Sequence, residues 1–141
     1  MKILGIDYGR KKIGIAVGDT VLKLAEPLQV LASSKFPERI SSKFNGTGAV
    51  QISKLIKENA IEKIVIGVPG GKMDEEIKKF GEELKKETDL PVEYFDETLS
   101  TQDAQRVLIE SGGSRKKRKE KEDAVAAAIM LQWYLEGGNN V

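Results

Sequence analysis

Lys2-Ile3-Leu4-Gly5-Ile6-Asp7 and Lys12-Ile13-Gly14-Ile15-Ala16-Val17-Gly18 are two short apolar runs separated by Tyr8-Gly9-Arg10-Lys11. Runs of this length rich in Ile and Val, joined by a stretch with turn chemistry, read as two strands of a β-hairpin. A third, shorter strand is expected over residues 26–32, entered through Pro27. Three strands in succession give the sheet an antiparallel start.

Outward from this hairpin the periodicity changes. Ser33 to Gly48 is rich in Ser, Lys, Gly and Asn and predicts a mobile loop. Ile52, Leu55, Ile56 and Ala60 then fall on one side of a helix, and Ile61 to Val68 is a strand cut off at Pro69-Gly70-Gly71. Ile77, Phe80 and Leu84 mark a surface helix over 74–87, and residues 91–95 a further strand ending at Asp96-Glu97. A helix over roughly 100–110 stops at Gly112-Gly113, and a basic loop over 115–121 leads into a final helix from about Glu122 to Glu136. The order β-β-β-α-β-α-β-α-α predicts an α/β fold, a mixed sheet with helices packed on it. With 141 residues the expectation is a single domain, 1–141, whose tail 137–141 is frayed.

The chain has no Cys and no His, which excludes thiolate zinc sites, disulfides, Ser-His-Asp triads and any imidazole base. A bound metal must take oxygen ligands, which favours Mg²⁺ or Mn²⁺. The N-terminal run meets Asp7 too early for a signal peptide or a spanning helix, so a cytoplasmic protein without membrane contact is expected.

Three carboxylates stand at the ends of core elements. Asp7 closes the first strand between Gly5 and Gly9, where a ligand could approach the backbone, although Asp also opens tight turns. Glu97 follows the strand over 91–95, where open α/β sheets place ligands, while Asp96 or Ser100 could cap the next helix. Asp123 precedes Ala124-Val125-Ala126-Ala127-Ala128-Ile129, an alanine-rich helix able to press closely on a sheet. A cap or dipole role explains Asp123 nearly as well, and periodicity does not separate it from Glu122. Converging on one sheet edge, the three could hold one or two divalent cations that activate water and stabilise the leaving oxygen of a phosphodiester. Arg10, Lys11 and Lys12 beside Asp7, and Arg115, Lys116, Lys117, Arg118, Lys119 and Lys121 before Asp123, supply counter-charge for a nucleic acid. Gly67-Val68-Pro69-Gly70-Gly71-Lys72 lacks Walker A spacing and reads as a strand-to-helix turn. Trp133, Tyr134 and Leu135 read as packing residues.

These pieces resemble the YqgF (RuvX) family, RuvC-like members of the ribonuclease H-like superfamily described as Holliday junction resolvases or pre-ribosomal RNA nucleases. The matching segments are Gly5-Ile6-Asp7-Tyr8-Gly9 with Gly14-Ile15-Ala16 and Asp19, Gly67-Val68-Pro69, Asp96-Glu97 with Ser100-Thr101, and Asp123-Ala124-Val125-Ala126-Ala127. The resemblance implies a ribonuclease H-like, five-stranded mixed sheet flanked by helices, with strand 2 antiparallel to the rest. It implies that Asp7, Glu97 and Asp123 bind Mg or Mn as the catalytic triad, and that the substrate is the 5′ end of pre-16S rRNA. One departure stands out. The family usually reads Asp-Glu-Arg before the Ser/Thr pair, whereas this chain has Asp96-Glu97-Thr98; Arg10, Arg115 or Lys121 could replace the missing cation.

The expected activity is a metal-dependent endonuclease, with pre-rRNA the preferred partner and branched DNA the alternative, acting as a monomer or weak homodimer. The alternatives are a Holliday junction resolvase-like DNA nuclease, a non-catalytic RNA-binding assembly module, and half of an actin-like ATPase, for which the chain lacks the partner domain.

Overall fold

In the computed structural model, residues 1–9, 12–32, 47–68, 70–96 and 115–137 are described. Five strands form one sheet: β1 (Lys2–Tyr8), β2 (Lys12–Asp19), β3 (Leu24–Ala32), β4 (Ile61–Val68) and β5 (Val92–Asp96). Their order is β3-β2-β1-β4-β5, with β2 antiparallel to β1 and β3, and with β4 parallel to β1 and β5. The mixed sheet with strand 2 reversed agrees with the sequence reading. Helices α1 (Thr47–Glu58) and α2 (Asp74–Thr88) cover one face, and α3 (Arg115–Leu135) covers the other.

The pleat sorts the apolar residues between two cores, because successive side chains leave a strand on opposite faces. Leu4, Ile6, Ile13 and Ile15 meet Ile52 of α1 and Ile77 and Phe80 of α2. On the other face Ile3, Ala16, Val65 and Phe95 meet Ala127, Met130 and Leu131 of α3. Strands buried on both faces read as continuous apolar runs, which is why β1, β2 and β4 are so plain in the sequence.

Three elements differ from their expected bounds by two residues or more. Strand β3 starts at Leu24 and carries Pro27 inside it rather than at its entrance. It lies at the edge of the sheet, and the pairing slips between Ile15 and Ala16 so that Leu28 bulges out. An edge strand with a bulge tolerates a residue that has no N–H to give to a ladder. Helix α1 opens at Thr47, ahead of the apolar stripe that announced it, and α3 begins at Arg115 rather than Glu122. The basic run is therefore helical backbone and not a loop. Lys, Arg and Glu are good helix formers, and no Gly or Pro interrupts 115–136.

The expected helix over 100–110 lies outside the described residues, as do 33–46 of the expected loop and 138–141 of the tail. At the end of the sheet away from Asp7, Val21, Leu22 and Leu24 expose apolar side chains that show no stripe in the sequence. No helix among the described residues is long and apolar enough to cross a membrane.

Candidate active site

Asp7 is the next-to-last residue of the central strand β1, and its place in the alternation puts it on the α3 face with Ile3 and Gly5. Its partners across the sheet are Gly14 in β2 and Gly67 in β4, and Gly67 is paired in turn with Phe95. Asp7 thus stands in a row whose two nearest places carry no side chain.

Helix α3 uses one of those vacancies. A Cβ built on Gly14 would lie 1.9 Å from the backbone oxygen of Asp123 and 2.3 Å from its carbonyl carbon. Only a residue without a side chain lets α3 come this close. Further along the same helix Leu131 lies over Gly5 and Gly18, where an added Cβ would meet it at 3.0 Å and 2.9 Å. The alanine-rich segment 124–128 completes the close approach, with every residue buried. Gly14 therefore brings the backbone of Asp123 onto the residue paired with Asp7, although the two are far apart in the chain.

Asp123 is not at a helix start. It lies two turns inside α3, so the capping and dipole roles that the sequence allowed do not apply. It is half-buried, and that burial pushes its carboxyl above the ordinary Asp range. The Lys12 ammonium pulls it part of the way back, and Glu122 adds to the rise. Withdrawn from water and short of compensating donors, it is a carboxylate whose ionised form a cation would stabilise. Together Asp7 and Asp123 offer hard oxygen donors from two rigid elements, which suits Mg²⁺ or Mn²⁺. Among the described residues no group of three or more Asp, Glu, His or Cys side chains converges.

The remaining candidates separate. Asp96 ends β5 opposite Val68, and its alternation puts it with Tyr94 on the α2 side, away from Asp7. Glu97, Thr98, Ser100, Arg10 and Lys11 lie outside the described residues. Lys12 opens β2 on the α3 face and is exposed. Residues 115–119 and 121 belong to the first two turns of α3, which precede Asp123. Asp19 sits at the far end of the sheet, where its Oδ1 accepts the N–H of Val21 at 2.7 Å and of Leu22 at 3.3 Å. The 67–72 segment behaves as the expected turn: the amides of Gly70 and Gly71 donate to Asp74 Oδ1 at 3.1 and 3.2 Å.

Two features escaped the sequence reading. One is the spacing role of Gly14 and Gly67, which glycine content alone could not assign. The other is a polar cluster at Tyr134. Its ring packs edge-on against Phe95, at a centroid distance of 6.2 Å, as expected of a packing residue. Its hydroxyl also donates to Glu93 at 2.5 Å and accepts from Lys63 at 2.5 Å, while Lys63 and Glu93 pair at 2.7 Å. The alternation of Lys63 and Glu93 with apolar neighbours was the only sequence signal that these charges face α3.

A five-stranded sheet with its second strand reversed, helices on both faces and carboxylates at the end of the central strand defines the ribonuclease H-like fold. Solved structures agree. The chain superimposes on Thermus thermophilus RuvC in complex with a Holliday junction substrate with a TM-score of 0.55 at 18% identity, covering 99% of this chain and 97% of that one. Fowlpox virus resolvase with Holliday junction DNA gives a TM-score of 0.60 at 14% identity, covering 97% and 98%. The family model RuvX, described as Holliday junction resolvase, matches residues 1–137. A protein of Halothermothrix orenii is 39% identical over 147 residues, covering 100% of this chain and 99% of the relative. One of Caldanaerobacter subterraneus subsp. tengcongensis is 35% identical over 147 residues, covering 99% of each. Both bear the name "Putative pre-16S rRNA nuclease". The chain belongs to the RuvX family.

Proposed function

We propose that this protein is a cytoplasmic, single-domain metal-dependent nuclease that hydrolyses phosphodiester bonds in the 5′ region of pre-16S rRNA. The observation that carries the reading is the contact of Asp123 with Gly14, directly across the sheet from Asp7. It brings the backbone of Asp123 against the residue paired with Asp7, in a chain whose relatives are named for this activity.

Asp7 and Asp123 would hold the cation, with Glu97 completing the set. A divalent cation held there polarises the phosphate and lowers the cost of ionising water. The protein's own part is positional. Gly67, paired with Asp7, carries no side chain, and the basic residues of 10–12 and 115–121 would supply positive charge for the backbone on either side. The rigid sheet and α3 keep the two carboxylates in register without reorganisation.

The test is cleavage of end-labelled ribosomal RNA precursor and of a four-way DNA junction with Mg²⁺, Mn²⁺ or chelator, comparing the parent with Asp7→Asn. Cleavage of the RNA that needs both metal and Asp7 is the expected result. The resolvase description of the family and the junction-bound structures favour a second reading, a DNA junction nuclease. Preferential cutting of the junction would select it. Binding of RNA without cleavage of either polymer would overturn both in favour of an assembly module.

A further inference from the structure

Lys12 is placed differently from an ordinary surface lysine. It opens β2 on the same face as Gly14, one pleat away, roughly 7 Å along the strand. Gly14 is the residue on which Asp123 rests and which lies opposite Asp7. The backbone of Lys12 is held from two sides. It is paired with Ala32 of β3, and a Cβ built on Gly9 would lie 2.6 Å from the Lys12 carbonyl oxygen, so the hairpin closes tightly against it. Its side chain is exposed. A cation with a fixed root therefore stands one pleat from the residue that lies between Asp7 and the Asp123 backbone.

The phosphate brings a negative charge of its own, which grows on its non-bridging oxygens in the transition state. Resting on the nuclease reading above, we propose that Lys12 is a catalytic residue whose ammonium contacts a non-bridging oxygen of the phosphate being cleaved. The basic residues over 115–121 would grip the flanking backbone instead. In the hydrolysis, water oxygen forms the new P–O bond and one ester P–O bond breaks. One water proton ends on the departing hydroxyl and the other on the new phosphate monoester. Lys12 exchanges no proton. It holds the non-bridging oxygen while charge builds on it, which is worth more in the transition state than in the bound substrate.

The assignment separates kcat from KM. With the parent's RNA substrate and saturating Mn²⁺, Lys12→Gln should lower kcat by about tenfold or more while KM stays within roughly threefold. Lys12→Arg should recover most of that loss, because it restores the charge. Replacing Arg115, Lys116, Lys117 and Arg118 with Ser should raise KM and leave kcat nearly unchanged. The exposure of Lys12 predicts an unaltered melting temperature for Lys12→Gln, which guards against misfolding as the cause. An unchanged kcat, a change confined to KM, or a loss that Lys12→Arg does not recover would overturn the role of Lys12 while leaving the nuclease intact. A parent that cleaves neither polymer would overturn the nuclease reading itself, and the role of Lys12 with it.

Discussion

Substituting alanine for Gly14 is the sharpest test of how the two carboxylates come together. The added methyl group would lie 1.9 Å from the Asp123 carbonyl oxygen, and real Cβ contacts essentially never fall below 3.0 Å. Either α3 or β2 must therefore retreat by at least about 1.1 Å. Neither gives way easily, since the contact is backbone on backbone and its neighbours Ile13, Ile15 and residues 124–128 are buried. Overpacking of this kind costs about 1–3 kcal/mol. For a domain of this size that is a fall in melting temperature of roughly 4–12 °C. The loss of activity should be larger than the loss of stability suggests, because displacing a catalytic group by ~1 Å can cost about 10²-fold. Single-turnover cleavage at a temperature where the variant remains folded, with Mn²⁺ titrated, separates the two effects. Gly71→Ala is the control: a Cβ there meets nothing within 4 Å, and its stability should stay within about 0.5 kcal/mol of the parent. A Gly14→Ala protein as active and as stable as the parent would refute the account of the site.

Other outcomes follow from the polar contacts of α3. The Lys63 ammonium and the Tyr134 hydroxyl hold the Glu93 carboxyl below the usual carboxylate range, so its stabilising contribution is present above the unfolded value and is lost as pH falls through the folded one. Melting curves from about pH 5 downward should be flatter for Glu93→Gln than for the parent, and equal slopes would contradict this; the half-exposed carboxylate keeps the effect modest. Lys63 is shifted upward by the same partners despite its partial burial, so its own contribution fades only on the alkaline side. Gln132 accepts the Ala25 N–H at 2.9 Å and donates to the Lys23 carbonyl at 2.7 Å, closing the outer end of β3. Gln132→Leu should cost about 1–2 kcal/mol by thermal melting and leave the cleavage rate unchanged.

The strands were legible because burial on two faces leaves an unbroken apolar signature, and β4 was read to its observed ends. Asp7 was legible as a candidate because a carboxylate after such a run needs a reason. The start of α3 was not, since nothing apolar marks residues 115–121 and periodicity detects only helices with a buried side. Nor was the inner position of Pro27, which depends on β3 lying at the edge of the sheet and carrying a bulge.

By itself, then, the order of residues determined the five strands, the reversal of the second of them and the exclusion of imidazole and thiol chemistry. These are local or compositional properties, set by side-chain pattern and by which functional groups exist. Only the tertiary structure decided that the backbone of Asp123 rests on Gly14 opposite Asp7, that Asp96 turns to the other face, and that Lys12 shares the face of Gly14. Each depends on strand register and on how closely α3 settles on the sheet. That closeness is governed by the absence of a side chain at Gly14, which becomes informative only once the residue packed against it is known.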